Sequence, residues 1–286
     1  TIDLGEDINE FVTVEYQGGA KLYIPVTNLG VLSRYAGGDP DLVPAHKLGT
    51  DRWKRAKQKA AEEIRDKAAE LLDIYARRAA KEGYAHQIDE SQVNQFADGF
   101  PFELTPDQET SINAVLADLK APRPMDRLVC GDVGFGKTEV AMRAAFASVS
   151  SGKQVCVLVP TTLLAQQHFE SFRDRFADWP VTIEVLSRFK TAKETGAIID
   201  RANNGQVDIV VGTHKLLSSQ LRLPKLSLLI IDEEHRFGVA QKERLKKYRA
   251  NVDVLTLTAT PIPRTLNLSM AGIRDLSVIA TPPARR

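Results

Sequence analysis

The stretch at residues 127–140, RLVC-GDVGFGKT-EV, constrains this chain more than any other. A short apolar run enters a glycine-rich loop, and an alanine-rich helical pattern leaves it. The loop fits G-x-x-x-x-G-K-[ST], with Gly131, Gly136, Lys137 and Thr138 in the fixed positions and Asp132, Val133, Gly134 and Phe135 between them. Each residue type follows from what a nucleoside triphosphate needs. Glycines let backbone N–H groups approach phosphate oxygens, lysine brings a point charge to the β and γ phosphates, and the threonine hydroxyl suits Mg²⁺. The helix that follows aims its positive end at the same anion. A bare motif match can be chance, but strand before and helix after are the context the mechanism requires.

A length of 286 residues accommodates one α/β domain and a smaller companion. Charge is unevenly spread: residues 1–99 hold 13 Lys/Arg against 17 Asp/Glu, and residues 100–286 hold 25 against 20. That excess points the C-terminal part weakly toward a polyanion and decides nothing alone. Cys130 and Cys156 lie in apolar strand-like runs, and two cysteines make neither a disulfide framework nor a zinc cluster. No apolar run has the length of a membrane span and no signal peptide opens the chain, so a cytoplasmic protein is expected.

Taken in order, residues 1–38 read as a β module. FVTVEY and KLYIPV alternate on either side of QGGA, which suits a hairpin turn. Two strands bury little, so the module either packs on a neighbour or offers an edge strand to another protein. Residues 39–99 comprise a Gly/Pro loop and, from 51 to about 82, a long helix with Trp53, Ile64, Leu71 and Tyr75 on one stripe. Such a helix extends about 45 Å, and its charges read as a solvated face. Residues 100–286 alternate strand and helix, with strands expected at 127–130, 154–159, 181–186, 207–211, 226–231 and 252–257. This is the pattern of a parallel sheet covered on both faces, with ligands at the carboxyl ends of its strands.

At the end of the run LSLLII stands DEEH. Asp232 there can hold Mg²⁺ and Glu233 can orient and deprotonate the attacking water. Alone, DEEH reads as a solvated charge run; following GDVGFGKT it completes a hydrolytic pair, with Lys137 as the third catalytic group. Upstream, Gln108 can read an adenine edge with its amide and Phe102 can lie on the ring. Thr105 followed by Pro106 also reads as a helix start.

GDVGFGKT, PTTLLAQQH, GTHKLL, DEEHRFG and TATPIPRT, in that order across residues 100–286, resemble the motifs of superfamily-two helicase-type motors, in the branch shared by RecG and the transcription-repair coupling factors. The hairpin, LSRYAGG, HKLG and the long helix are similar to the coupling-factor family rather than to RecG, whose N-terminal part is a DNA-binding wedge. The resemblance implies a RecA-like P-loop domain preceded by a Tudor-like β module and a linker helix. It implies ATP and Mg²⁺ as cofactors, and His235, Thr258 and Thr260 as residues coupling γ-phosphate state to movement. It places Thr161, Thr162, Arg188, Thr213 and His214 on loops that grip a DNA backbone. From the residues themselves, Thr162 is equally an ordinary cap and Arg188 a surface cation.

The implied activity is ATP-driven translocation on double-stranded DNA. Its implied partners are the β subunit of a stalled RNA polymerase, through Phe11, Val12 and Val14, and a nucleotide-excision-repair damage-recognition protein through a region not matched here. A fork-remodelling helicase and a non-enzymatic polymerase-binding adaptor are the alternatives. Motors of this kind close ATP between two lobes, the second supplying arginine fingers. One lobe is legible here and the β module begins late, so slow hydrolysis by this chain alone is expected.

Overall fold

A computed structural model describes residues 2–3, 8–9, 11–16, 18–26, 80–238, 251–259 and 274–283, with scattered positions between 58 and 78 and between 240 and 245. The chain divides into two compact units, Thr1–Glu70 and Leu71–Arg286.

In the first unit, β1 (Ile2–Asp3) and β2 (Ile8–Asn9) pair antiparallel. β3 (Phe11–Glu15) and β4 (Lys21–Pro25) form the expected hairpin, with Phe11 opposite Pro25 and Glu15 opposite Lys21. Gly18 and Gly19 turn the chain at φ 90° and 77°, the left-handed region where a side chain is costly. Phe11, Val12 and Val14 are half-buried, while Leu22 and Tyr23 on β4 are exposed. The long helix expected at 51–82 falls mainly outside the described residues; the described positions from 58 to 78, such as Lys59 and Leu72, are helical, whereas Ala80, Lys81 and Glu82 are not, so the helix ends earlier than expected.

The second unit opens with α1 (Glu90–Asp98) and α2 (Pro106–Lys120). Thr105 caps α2 through a reciprocal capping box with Gln108, and Pro106 occupies the first turn, as the sequence predicts. Then come β5 (Asp126–Gly131), α3 (Lys137–Ser150), β6 (Gln154–Leu158), α4 (Thr162–Arg175) and β7 (Ile183–Leu186). α5 (Ala192–Asn203), β8 (Ile209–Gly212), β9 (Leu226–Asp232), β10 (Asp253–Thr258) and β11 (Asp275–Ile279) complete it. All six expected strands form. β11 was not among them.

The strands join one parallel sheet of seven in the order β11-β5-β10-β9-β6-β8-β7. Alternation sends successive side chains to opposite faces. Val155 and Val157 enter a core with α1–α4, whereas Cys156 and Leu158 enter a second core with α5. Burying each such side chain contributes about 1.5–3 kcal/mol. Both cysteines are buried, and burial pushes the Cys156 thiol up to about 12. No described helix is long and apolar enough to cross a membrane.

The strand order sorts the loops at the carboxyl edge. β5, β10 and β9 are neighbours, with Thr258 level with Cys130 and Leu257 level with Asp232, so the P loop, the TAT segment and DEEH lie side by side. β6, β8 and β7 are neighbours, with Leu158 and Leu186 both level with Gly212. The loops carrying PTT, GTH and LSR therefore form a second group.

Candidate nucleotide and nucleic-acid sites

The P loop leaves β5 through Gly131, where an added Cβ would lie 2.9 Å from the Ile279 carbonyl on β11. The first motif glycine is thus set by the close approach of an edge strand. The loop turns at Gly134 (φ 84°) and at Gly136 (φ 78°), the residue that caps α3. In this conformation the Lys137 Nζ donates to the carbonyls of Gly131 (2.6 Å) and Asp132 (2.9 Å), so the amine is held over the loop it serves.

Lys137, Thr138, Asp232 and Glu233 line one cleft of about 640 Å³. Its other lining groups include His235, His168 and Ala259. Asp232 ends β9, and its Oδ2 lies 2.9 Å from the His168 Nε2 on α4. Glu233 is the sole non-glycine residue with a left-handed backbone among those described (φ 55°), a conformation that stores about 1–3 kcal/mol and is maintained only by its surroundings. Those surroundings are visible. The Glu233 N–H donates to Leu257 O (2.9 Å), its Oε1 accepts from the Ala259 N–H (2.9 Å), and its Oε2 is 3.2 Å from the His235 Nδ1. The acidic tip is therefore tied to the end of β10, the strand that carries Thr258. Thr260 lies outside the described residues.

Beside it is a cavity of about 860 Å³ bordered by Phe102, Gln108, Gly136, Glu139, Arg175 and Pro283, among others. Phe102 is 56% exposed at its mouth, edge-on to Phe100. Gln108 is buried; its Nε2 donates to Phe135 O (2.9 Å) and its Oε1 accepts from the Thr105 N–H (2.9 Å). One N–H and one lone pair of that amide are left to meet a base edge, so the same group can fix the P loop and read a base. The cavity floor is an ion-pair network the sequence reading missed. Glu139 holds Arg143 at 2.8 Å and Arg175 at 3.1 Å, and Arg175 stacks over Phe96 at 3.8 Å.

The donor set suits Mg²⁺: Thr138 and Asp232, both with hard oxygens, line the cleft that also holds Lys137. Among the described residues no cluster of three or more His, Cys, Asp or Glu is arranged as a metal cage.

The second loop group encloses a cleft of about 360 Å³ lined by Thr161, Thr162, Arg188, Thr213 and His214, together with Leu163 and Phe189. All five residues assigned to DNA contact by resemblance come together. Thr161, rather than Thr162, is the helix cap: its Oγ1 accepts from the Leu164 N–H at 3.2 Å. Thr162 is the first helical residue. Arg188 and His214 are exposed, Thr213 is buried, and Phe189 stands 68% exposed beside Arg188.

A family profile described as "DEAD/DEAH box helicase" matches residues 105–268. The chain belongs to that family. Residues 1–36 match the profile "CarD-like/TRCF RID domain". Over its whole length the chain is 64% identical to the transcription-repair-coupling factor of Escherichia coli, 62% identical to that of Haemophilus influenzae and 51% identical to that of Bacillus subtilis. It spans about a quarter of the length of these relatives, from 24% to 25%. A structure of RecG bound to a three-way DNA junction superposes with a TM-score of 0.65 at 32% identity, over 79% of this chain and 32% of that one. In this helicase-family lobe, a nucleotide-binding fold is joined to a small antiparallel β module at the N-terminus.

Proposed function

We propose that the chain is the ATP-binding lobe, with its polymerase-contacting module, of an ATP-driven double-stranded DNA translocase. That protein binds stalled RNA polymerase, displaces it and brings in nucleotide-excision repair. One observation carries the reading. The parallel sheet delivers Lys137, Thr138, Asp232 and Glu233 into one cleft and the five candidate backbone-gripping residues into a second cleft on the same edge. Supporting it are the names of the full-length matches and the helicase family.

In the first cleft, Lys137 releases its loop carbonyls to contact the β and γ phosphates, and in the cavity beside it Gln108 and Phe102 receive adenine. Mg²⁺, when bound through Thr138 and Asp232, neutralises charge developing on the phosphates. Glu233 takes the proton of the attacking water, its carboxylate aimed by Ala259 and His235. His235, Thr258 and Thr260 relay phosphate state to the neighbouring loops. In the second cleft, hydroxyl, imidazole and guanidinium donors meet phosphates without reading bases. The parts are assigned as a polymerase-binding β module at 1–38, a linker at 39–99 and the motor lobe at 100–286. The match of residues 1–36 supports the first assignment.

The likeness to RecG favours a second reading, fork remodelling. A pull-down with the N-terminal region of the polymerase β subunit separates the two. Val12→Glu abolishes capture and leaves nucleotide binding intact if this module docks on polymerase. Capture unaffected by Val12→Glu and by removal of the hairpin contradicts that docking.

A further inference from the structure

The two clefts share one helix. α4 contributes Thr162 and Leu163 to the phosphate-gripping cleft, Gln167 and His168 to the nucleotide cleft, and Arg175 to the base cavity. At 1.5 Å per residue, His168 lies about 9 Å along the axis from Thr162. His168 is buried, and its Nε2 meets the Asp232 Oδ2 at 2.9 Å. An ionised carboxylate only accepts, so Nε2 is the donor. The other ring nitrogen, Nδ1, is buried with no hydrogen-bond partner among the described residues. A histidine retained only for packing has no reason to leave a buried nitrogen unpaired, because an apolar residue of similar shape fills the space without that cost. What the imidazole accomplishes is done at Nε2, where it fixes one carboxylate oxygen.

We propose that His168 is the positioning residue that joins α4 to Asp232, so that occupation of the cleft at the start of α4 is transmitted to the carboxylate that faces Mg²⁺. The inference rests on the nucleotide-site reading above. With Oδ2 held by the imidazole, the Asp232 carboxylate is fixed at one oxygen, and Oδ1 is the oxygen that would be left to hold Mg²⁺. A helix is stiff along its axis, so a shift of its first turn on binding a phosphate backbone moves the Nε2 donor and the carboxylate with it. The route is short, and its one articulated contact is a single hydrogen bond between residues 64 apart in sequence. The TAT segment holds Glu233 by a separate contact, so the two acidic residues are tied to different elements.

The test uses the chain as it is, with a fluorescent non-hydrolysable ATP analogue and Mg²⁺ titrated with and without duplex DNA. Histidine, His168→Gln, His168→Ala and Lys137→Ala are compared, with thermal unfolding of each. The expected result for His168→Ala is a 5- to 10-fold rise in the Mg²⁺ needed for half-maximal binding, unchanged saturation at high Mg²⁺, and loss of the effect of DNA. His168→Gln, whose amide N–H reaches the position of Nε2, keeps both properties near those of the parent chain. The proposal is overturned if His168→Ala retains the parent Mg²⁺ requirement and DNA response, if Gln and Ala are equally impaired, or if DNA leaves the parent chain's Mg²⁺ requirement unchanged. Failure of the nucleotide reading is distinguishable, because then the parent chain binds no better than Lys137→Ala.

Discussion

The two halves of the sheet's carboxyl edge differ in how completely their side chains are held. On the β5-β10-β9 side nearly every candidate group has a partner: Lys137 on two carbonyls, Gln108 on Thr105 and Phe135, Asp232 on His168, Glu233 on Ala259. On the β6-β8-β7 side, among the described residues, Thr161 is engaged as a helix cap, while Arg188, His214 and Phe189 face solvent, Arg188 lying beside the Phe189 ring. The difference matches the tasks assigned. Phosphoryl transfer needs groups fixed before the reaction, because reorganising dipoles during the step adds to the barrier. Gripping a backbone that slides past needs donors that engage and release, and exposed flexible cations do that at little cost to the fold.

The largest effect is expected where fixation is strongest. Glu233→Gln keeps an acceptor for the Ala259 N–H but removes the base. Phosphate release should fall about 10²–10⁴-fold while nucleotide affinity is unchanged. An unchanged rate would show that the strained acidic tip is not the catalytic group. On the open side, Arg188→Ala should leave thermal stability within about 0.5 kcal/mol. It should also lower the salt dependence of DNA binding by about one phosphate contact. A large loss of stability there would erase the contrast between the halves.

The smallest effect sharpens the contrast on the held side. Asp107, in the first turn of α2, accepts from the backbone N–H groups of Ala280 (3.0 Å) and Thr281 (2.8 Å), steadying the segment that brings Pro283 to the cavity beside the P loop. Hydrogen bonds from the Thr281 hydroxyl and then from these amides hold the carboxyl below its ordinary value of 3.8. A depressed acid stabilises the fold while ionised. Its contribution is present above the ordinary value and lost as pH falls through the lower folded value. Protection of the 280 and 281 amides against hydrogen exchange should therefore weaken in that acid window. In Asp107→Asn it should be weak at neutral pH and insensitive to the same change.

These contrasts bear on what could be read in advance. The phosphate loop, the acidic strand tip and the capped α2 are local: each needs residues within a few positions of one another, and the sequence carries them whole. The six strands were legible for the same reason. β11 was not, because Asp275–Ile279 is a short edge strand with Val278 half-exposed, and its identity depends on pairing with β5. His168 was invisible as a site residue because its partner lies 64 positions away and nothing in QQH distinguishes it from any polar helix position. Glu139 was read only as part of the stretch after the loop, yet it organises Arg143 and Arg175 at the cavity that Gln108 and Phe102 border. Long-range pairing, unlike local geometry, leaves no periodic trace in the sequence.

The central claim is that Lys137 and Asp232 hold one Mg²⁺–triphosphate between the P loop and the tip of β9. Calorimetric titration with the non-hydrolysable analogue tests it most directly, with and without Mg²⁺, on the parent chain, Lys137→Ala and Asp232→Asn. A single Mg²⁺-dependent site is predicted, weakened about 10- to 100-fold by Lys137→Ala, as expected for lost charged hydrogen bonds, with the Mg²⁺ dependence reduced in Asp232→Asn. Parent-like affinity in Lys137→Ala, or Mg²⁺ dependence untouched by Asp232→Asn, would contradict it.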